Sequence, residues 1–160
     1  MTATEPALRS LDPRAVTLWR LSLGIRGVVL TVGALLTELL VVQLPVPAGT
    51  VAAAVAVAFG VATAVIPSLR YRSWGFALGD EHVYLRHGIL FRTTSIVPYA
   101  RIQHVDTRHG PIDRWLGLAS LVVFTAGTRG AMLTIPALAG EEAEEMRDRL
   151  AALSGAGDAV

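Results

Sequence analysis

The chain has 160 residues, 52% of them hydrophobic, 6% aromatic and only 17% charged, with a mean hydropathy of +0.51. Soluble domains are about a quarter charged, so an ordinary soluble domain is excluded. The absence of Cys excludes a disulfide scaffold, a thiolate metal site and a cysteine nucleophile, and a net charge of +1 excludes the basic footprint of non-specific nucleic-acid binding.

The charges are unevenly placed, since residues 27 to 69 contain a single charged side chain, Glu38. Residues 1 to 26 read as a cytoplasmic N-terminal segment. Asp12-Pro13 has the form of an N-cap followed by a first helical position. Leu18, Leu21 and Ile25 then recur at helical spacing beside Arg14 and Arg20, which predicts a short interfacial helix.

Two apolar runs follow, residues 27 to 44 and 48 to 66. As helices each spans roughly 27 to 29 Å, close to the ~30 Å hydrocarbon thickness. Pro45-Val46-Pro47-Ala48-Gly49 turns the chain between them, predicting a tight transmembrane hairpin. The first run is too long for the apolar region of a signal peptide and is followed by a second span. Arg14, Arg20 and Arg26 precede the first span, Arg70 and Arg72 follow the second, and the connection is uncharged, so both termini are expected in the cytoplasm. Trp19, Tyr71 and Trp74 fit the same inner interface.

Two features inside the spans carry further weight. Ala52, Ala56, Gly60 and Ala64 form a stripe of small residues along which another helix can approach closely. Glu38 is a carboxylate within a span, where insertion costs about 2.5 to 3.5 kcal/mol, and is therefore the intramembrane candidate. Its readings are contact with outer headgroups, contact with a partner helix, or a proton or ion relay.

From Ser73 the apolar period falls to two residues. Trp74, Phe76 and Leu78 form a first strand, and Gly79-Asp80 turns the chain. Val83 and Leu85 mark a second strand, and residues 89 to 97 a third, after a break at His87-Gly88. Residues 101 to 107 and 118 to 126 follow as the fourth and fifth strands. The sixth, residues 131 to 135, comes after the turn Gly127-Thr128-Arg129-Gly130. A C-terminal amphipathic helix carries Ala143, Met146, Leu150 and Leu153 on one face, with Glu residues opening it and Arg147 and Arg149 closing it. Residues 154 to 160 read as a tail.

Several pieces in this order carry a resemblance: Gly88-Ile89-Leu90 with Arg92; Val97-Pro98-Tyr99-Ala100-Arg101-Ile102-Gln103-His104-Val105; Gly110-Pro111-Ile112-Asp113-Arg114-Trp115-Leu116-Gly117-Leu118-Ala119; and Phe124-Thr125-Ala126-Gly127. The chain resembles the YdbS-type bacterial PH-domain membrane proteins over residues 71 to 153. The resemblance implies an α+β protein: a two-helix transmembrane hairpin followed by a cytoplasmic PH-like antiparallel β domain, residues 70 to 153, closed by a C-terminal helix. It also implies a hetero-complex with a larger PH-domain membrane protein, while exposed strand edges on a membrane-anchored β domain equally allow a homo-oligomer. In these pieces Gly88 is expected to permit a tight turn, Ile102 and Val105 to make apolar contacts, and Arg101 and Gln103 to face water or a neighbour.

The residues offer little enzymatic chemistry. His104, Asp106 and His109 do not share one strand face, and no fourth metal ligand is indicated. Nucleophile-elbow, phosphate-loop and H-E-x-x-H patterns do not occur. No catalytic residue, metal or cofactor is expected. The loop at Gly79-Asp80-Glu81, basic in phosphoinositide-binding PH domains, is acidic here, which argues against inositol-phosphate binding. Arg70, Arg72, Arg86 and Arg92 can form a diffuse patch for anionic headgroups, and Arg101 and Gln103 a partner contact. The expected function is therefore an interaction module anchored in the cytoplasmic membrane. The alternative is a transport or export accessory protecting the envelope, in which the spans and Glu38 line an oligomeric path.

Overall fold

The computed structural model describes residues 7–40, 47–126 and 132–155. Two long helices, α1 (Arg14–Leu40) and α2 (Thr50–Ser73), precede β1 (Gly75–Leu78), β2 (His82–His87) and β3 (Thr93–Pro98). A turn of 3-10 helix (Tyr99–Arg101) leads to β4 (Ile102–Arg108), the short helix α3 (Pro111–Leu116), β5 (Leu118–Thr125), β6 (Met132–Ala139) and α4 (Gly140–Gly155). The class is α+β. The chain forms two compact units, one of residues Val16–Ser68, the other joining the residues up to Ala15 with those from Leu69 onward.

In the helical unit, α1 and α2 are long and apolar enough to cross a membrane, and only 6% and 11% of their most apolar stretches is covered by protein. Val28, Val29, Leu39, Val57 and Val61 are exposed, a surface that water does not tolerate and lipid does. The interfacial stretch is not a separate helix, because α1 runs unbroken from Arg14 with no proline to interrupt its hydrogen bonds. Residues 41 to 46, which include the end of the first span and Pro45-Val46 of the turn, lie outside the described residues. After them Gly49 takes a φ of +90° and α2 begins, continuing beyond residue 66 through a buried Pro67. Phe59 packs on Gly27, where a Cβ would lie 2.8 Å from the Phe59 Cβ. Of the small-residue stripe, Ala52 is buried, while Ala56 and Gly60 border an apolar cleft of ≈400 Å³ facing Gly24, Val28 and Val32.

The second unit holds two antiparallel three-stranded sheets, ordered β1-β2-β3 and β4-β5-β6. Val83 and Leu85 of β2 point into the core, as their alternation requires. β5 is central in its sheet and buries Leu118, Ala119, Leu121, Val122 and Val123. α4 buries Ala143, Met146 and Leu150, the face expected from their spacing. The third strand starts at Thr93 and not at residue 89. Gly88 has a φ of +116° and a Cβ on it would collide with the Phe91 carbonyl, so the chain folds back tightly and residues 89 to 91 leave the ladder. β6 runs on to Ala139, beyond the expected end at residue 135. The turn at residues 127 to 130, the start of the sixth strand at residue 131 and the end of the tail lie outside the described residues.

The N-terminal segment belongs to this unit. Arg9 pairs with Phe76 of β1 (N–H to carbonyl 2.7 and 3.0 Å), covering the outer edge of that strand. Leu11 is 2% exposed, and its carbonyl accepts from the Tyr71 hydroxyl (3.1 Å). The predicted cap is present: Asp12 Oδ1 accepts from the Arg14 N–H at 2.8 Å, and the Arg14 guanidinium holds the Asp12 carboxyl below the ordinary carboxylate range.

Candidate functional site

Strand β4 is paired only with β5, so one of its edges is open among the described residues. The pairing shifts between Ile102, opposite Thr125, and His104, opposite Phe124, which leaves Gln103 as an extra residue in a β-bulge. A bulge reverses side-chain parity and turns the extra residue outward. This is why Ile102 is buried and Val105 half-buried although they are three residues apart, while Gln103 and His104 are both exposed. Beside this edge lies a groove of ≈630 Å³, lined by residues 100 to 105, by Ala126, and by Ala151 and Ser154 of α4. The Arg101 carbonyl is fixed by the Ala126 N–H (2.9 Å), leaving its exposed side chain at the groove.

The start of β4 is rigidly tied. Tyr99 is buried, donates its hydroxyl to the Gly79 carbonyl at 2.7 Å and its N–H to the Glu81 carbonyl at 3.0 Å. Burial raises the phenol pKa, which keeps the hydroxyl available as a donor. The acidic β1–β2 turn is thus pinned to the groove's first residues. The histidines have structural partners: His104 stacks on Phe124 across the ladder with ring centres 4.1 Å apart, His87 stacks on Trp74 at 5.0 Å, and His109 Nδ1–H donates to the Leu118 carbonyl at 3.1 Å. Among the described residues there is no cluster of metal-ligating side chains.

The other expected contacts do not join this groove. Arg70 and Arg72 lie in the last turn of α2, Arg86 is exposed near the end of β2, and Arg92 is exposed just before β3. Between Arg86 and Arg92 the loop carries Leu90 and Phe91 at 90% and 87% exposure. Glu38 is engaged inside the helical unit: Oε1 accepts from the Val51 N–H (2.9 Å) and Oε2 from the Ala52 N–H (3.3 Å), in the first turn of α2. The first N–H groups of a helix have no partner within it, and the positive end of the helix dipole favours a carboxylate there. Glu38 therefore caps the partner helix of its own hairpin.

Sequence reasoning did not place residues 7 to 15 in the β unit, although Leu8 and Leu11 just before the cap are a signal for a buried approach. It also did not foresee the bulge, although the odd spacing of Ile102 and Val105 within a strand implies one.

Comparison with known proteins agrees with this architecture. The bacterial PH domain family matches residues 23–154. The UPF0699 transmembrane protein YdbS of Bacillus subtilis (strain 168) is 37% identical over 90 residues, 56% of this chain and 55% of that protein. The chain thus matches about half the length of this curated relative. No solved structure matches. With most of two long apolar helices, two three-stranded sheets and nearly all of a closing helix covered by the match, the chain belongs to the bacterial PH domain family and is a membrane protein similar to YdbS.

Proposed function

We propose that this chain is a non-enzymatic interaction module of the cytoplasmic membrane. The hairpin crosses the membrane twice and leaves both termini and the PH-like unit at the inner face. There the unit binds a second PH-domain membrane protein or another copy of itself through the open edge of β4. The observation that carries this reading is that residues 100 to 105, part of the stretch on which the family resemblance rests, line one groove beside an unpaired strand edge, with Gln103 bulged outward. An open edge offers backbone donors and acceptors to an incoming segment, and side chains beside it set the specificity. Confinement to the membrane plane raises the effective concentration of both partners, so a modest groove suffices.

The engagement of Glu38 with α2 supports an anchoring role for the spans over an oligomeric path. A photo-crosslinking residue at position 103 tests the module reading in native membranes. A discrete adduct is expected, identified by mass spectrometry and lost when Arg101→Glu is added. Recovery of monomer alone would count against the reading.

A further inference from the structure

Two groups of exposed apolar side chains lie on the β unit, and both stand where the chain passes between that unit and its long helices. The first is the β2–β3 loop. Leu90 is 90% exposed and Phe91 87%, with Ile89 at 46% beside them. In the ladder Gly75 is opposite Arg86 and His87 is opposite Thr93, so this loop projects from the end of the sheet at which β1 begins. α2 ends at Ser73, just before β1. The second is Trp115 of α3, 75% exposed. The neighbouring Leu116 carbonyl accepts from the Arg14 guanidinium at 2.9 Å, and Arg14 is the first residue of α1.

Charge follows the same division. At the loop end of the first sheet stand Arg86 and Arg92, with Arg70 and Arg72 in the last turn of α2, whereas the turn at the opposite end of that sheet carries Asp80 and Glu81. Among the described residues Arg86 and Arg92 belong to no ion pair. Apolar tips flanked by arginines match a lipid surface, where hydrocarbon takes the tip and anionic headgroups take the guanidinium groups; a Trp at the headgroup level fits the same boundary.

We propose that Leu90 and Phe91 enter the headgroup region of an anionic leaflet as a wedge, with Trp115 as a second contact, so that the β unit is held against the lipid as well as tethered to it. The surrounding occupant is lipid and not protein, because both apolar groups adjoin the points at which the chain enters and leaves its membrane helices and the basic side chains gather at the same end. The inference rests on the reading of the hairpin as a membrane anchor.

The chain contains no Cys, so a single introduced cysteine labels one site. Full-length Leu90→Cys, Phe91→Cys and, as control, Asp80→Cys are coupled to an environment-sensitive nitrobenzoxadiazole dye and reconstituted in nanodiscs of phosphatidylcholine with phosphatidylglycerol. Expected are blue-shifted emission at positions 90 and 91 and quenching by spin-labelled lipid severalfold stronger than at position 80. Replacing Arg86 and Arg92 by Gln, or raising the salt, should weaken that quenching. Water-like emission at both loop positions would overturn the proposal. So would shielding that ignores the lipid quencher and grows with protein per disc, which would mean that a second copy covers the loop. Arg101→Glu should leave the dye signal unchanged, so failure of the partner groove and failure of the wedge are separately visible. A cysteine at position 90 that a membrane-impermeant reagent reaches from outside intact cells would refute the inner-face assignment alone.

Discussion

Two carboxylates, each at a helix N-terminus, show how differently residues of one chemistry reveal themselves. Asp12 lies two residues before the N–H it accepts, so its role is local and legible in the dipeptide Asp12-Pro13. Replacing it by Ala should cost about 1 kcal/mol, the usual value of a cap. Because the folded carboxyl is held below its ordinary range, that stabilisation is present at neutral pH and is lost as pH falls through the lowered value. Thermal unfolding of Asp12→Ala and the parent chain should therefore differ at pH 7 and converge in strong acid. Glu38 meets its donors only because the hairpin returns the chain, so no local rule reveals it. Glu38→Leu should leave the Val51 and Ala52 amides without that acceptor and speed their exchange about tenfold, equivalent to about 1.4 kcal/mol. Unchanged exchange at these two amides would show that the carboxylate is not their cap.

At the scale of elements, the bulge in β4 and the N-terminal pairing of β1 depend on tertiary partners. Deleting Gln103 should restore regular pairing, with Ile102 still facing inward and His104 outward, because the bulge residue is the one that interrupts the register. Near-parental unfolding with loss of the position 103 contact to partner is the expected outcome, read by thermal melts and by crosslinking from a neighbouring groove position. Arg9→Pro removes the donor that meets the Phe76 carbonyl and should cost about 1 kcal/mol, checked by unfolding in detergent. Gly117, with a φ of +66°, ends α3 and donates to the Arg114 carbonyl at 3.2 Å. A side chain there is strained, and Gly117→Val should destabilise by about 1 kcal/mol or more through the left-handed backbone.

For the whole molecule, the division of charge is what the proposed topology rests on. Residues 27 to 69 carry one carboxylate, while Arg14, Arg20 and Arg26 stand in the first half of α1 and Arg70 and Arg72 in the last turn of α2. By the positive-inside tendency a reporter fused after Val160 should be active only in the cytoplasm, and activity in the periplasm would reverse the assignment. The low overall charge is therefore a property of the hairpin, since the remaining residues are charged at about the level of a soluble domain.

The sequence by itself determined the helical hairpin, the six strands, the amphipathic face of α4 and the cap at Asp12. Each follows from a periodicity or a short-range hydrogen bond that a run of neighbouring residues fully encodes. Only the tertiary structure decided that Arg9 extends the first sheet, that Gln103 bulges into a groove, that Glu38 caps α2, and that Leu90 and Phe91 stand outside the third strand. Those outcomes depend on which distant groups meet once the chain is closed, and on a glycine at position 88 whose Cβ has no room beside the Phe91 carbonyl.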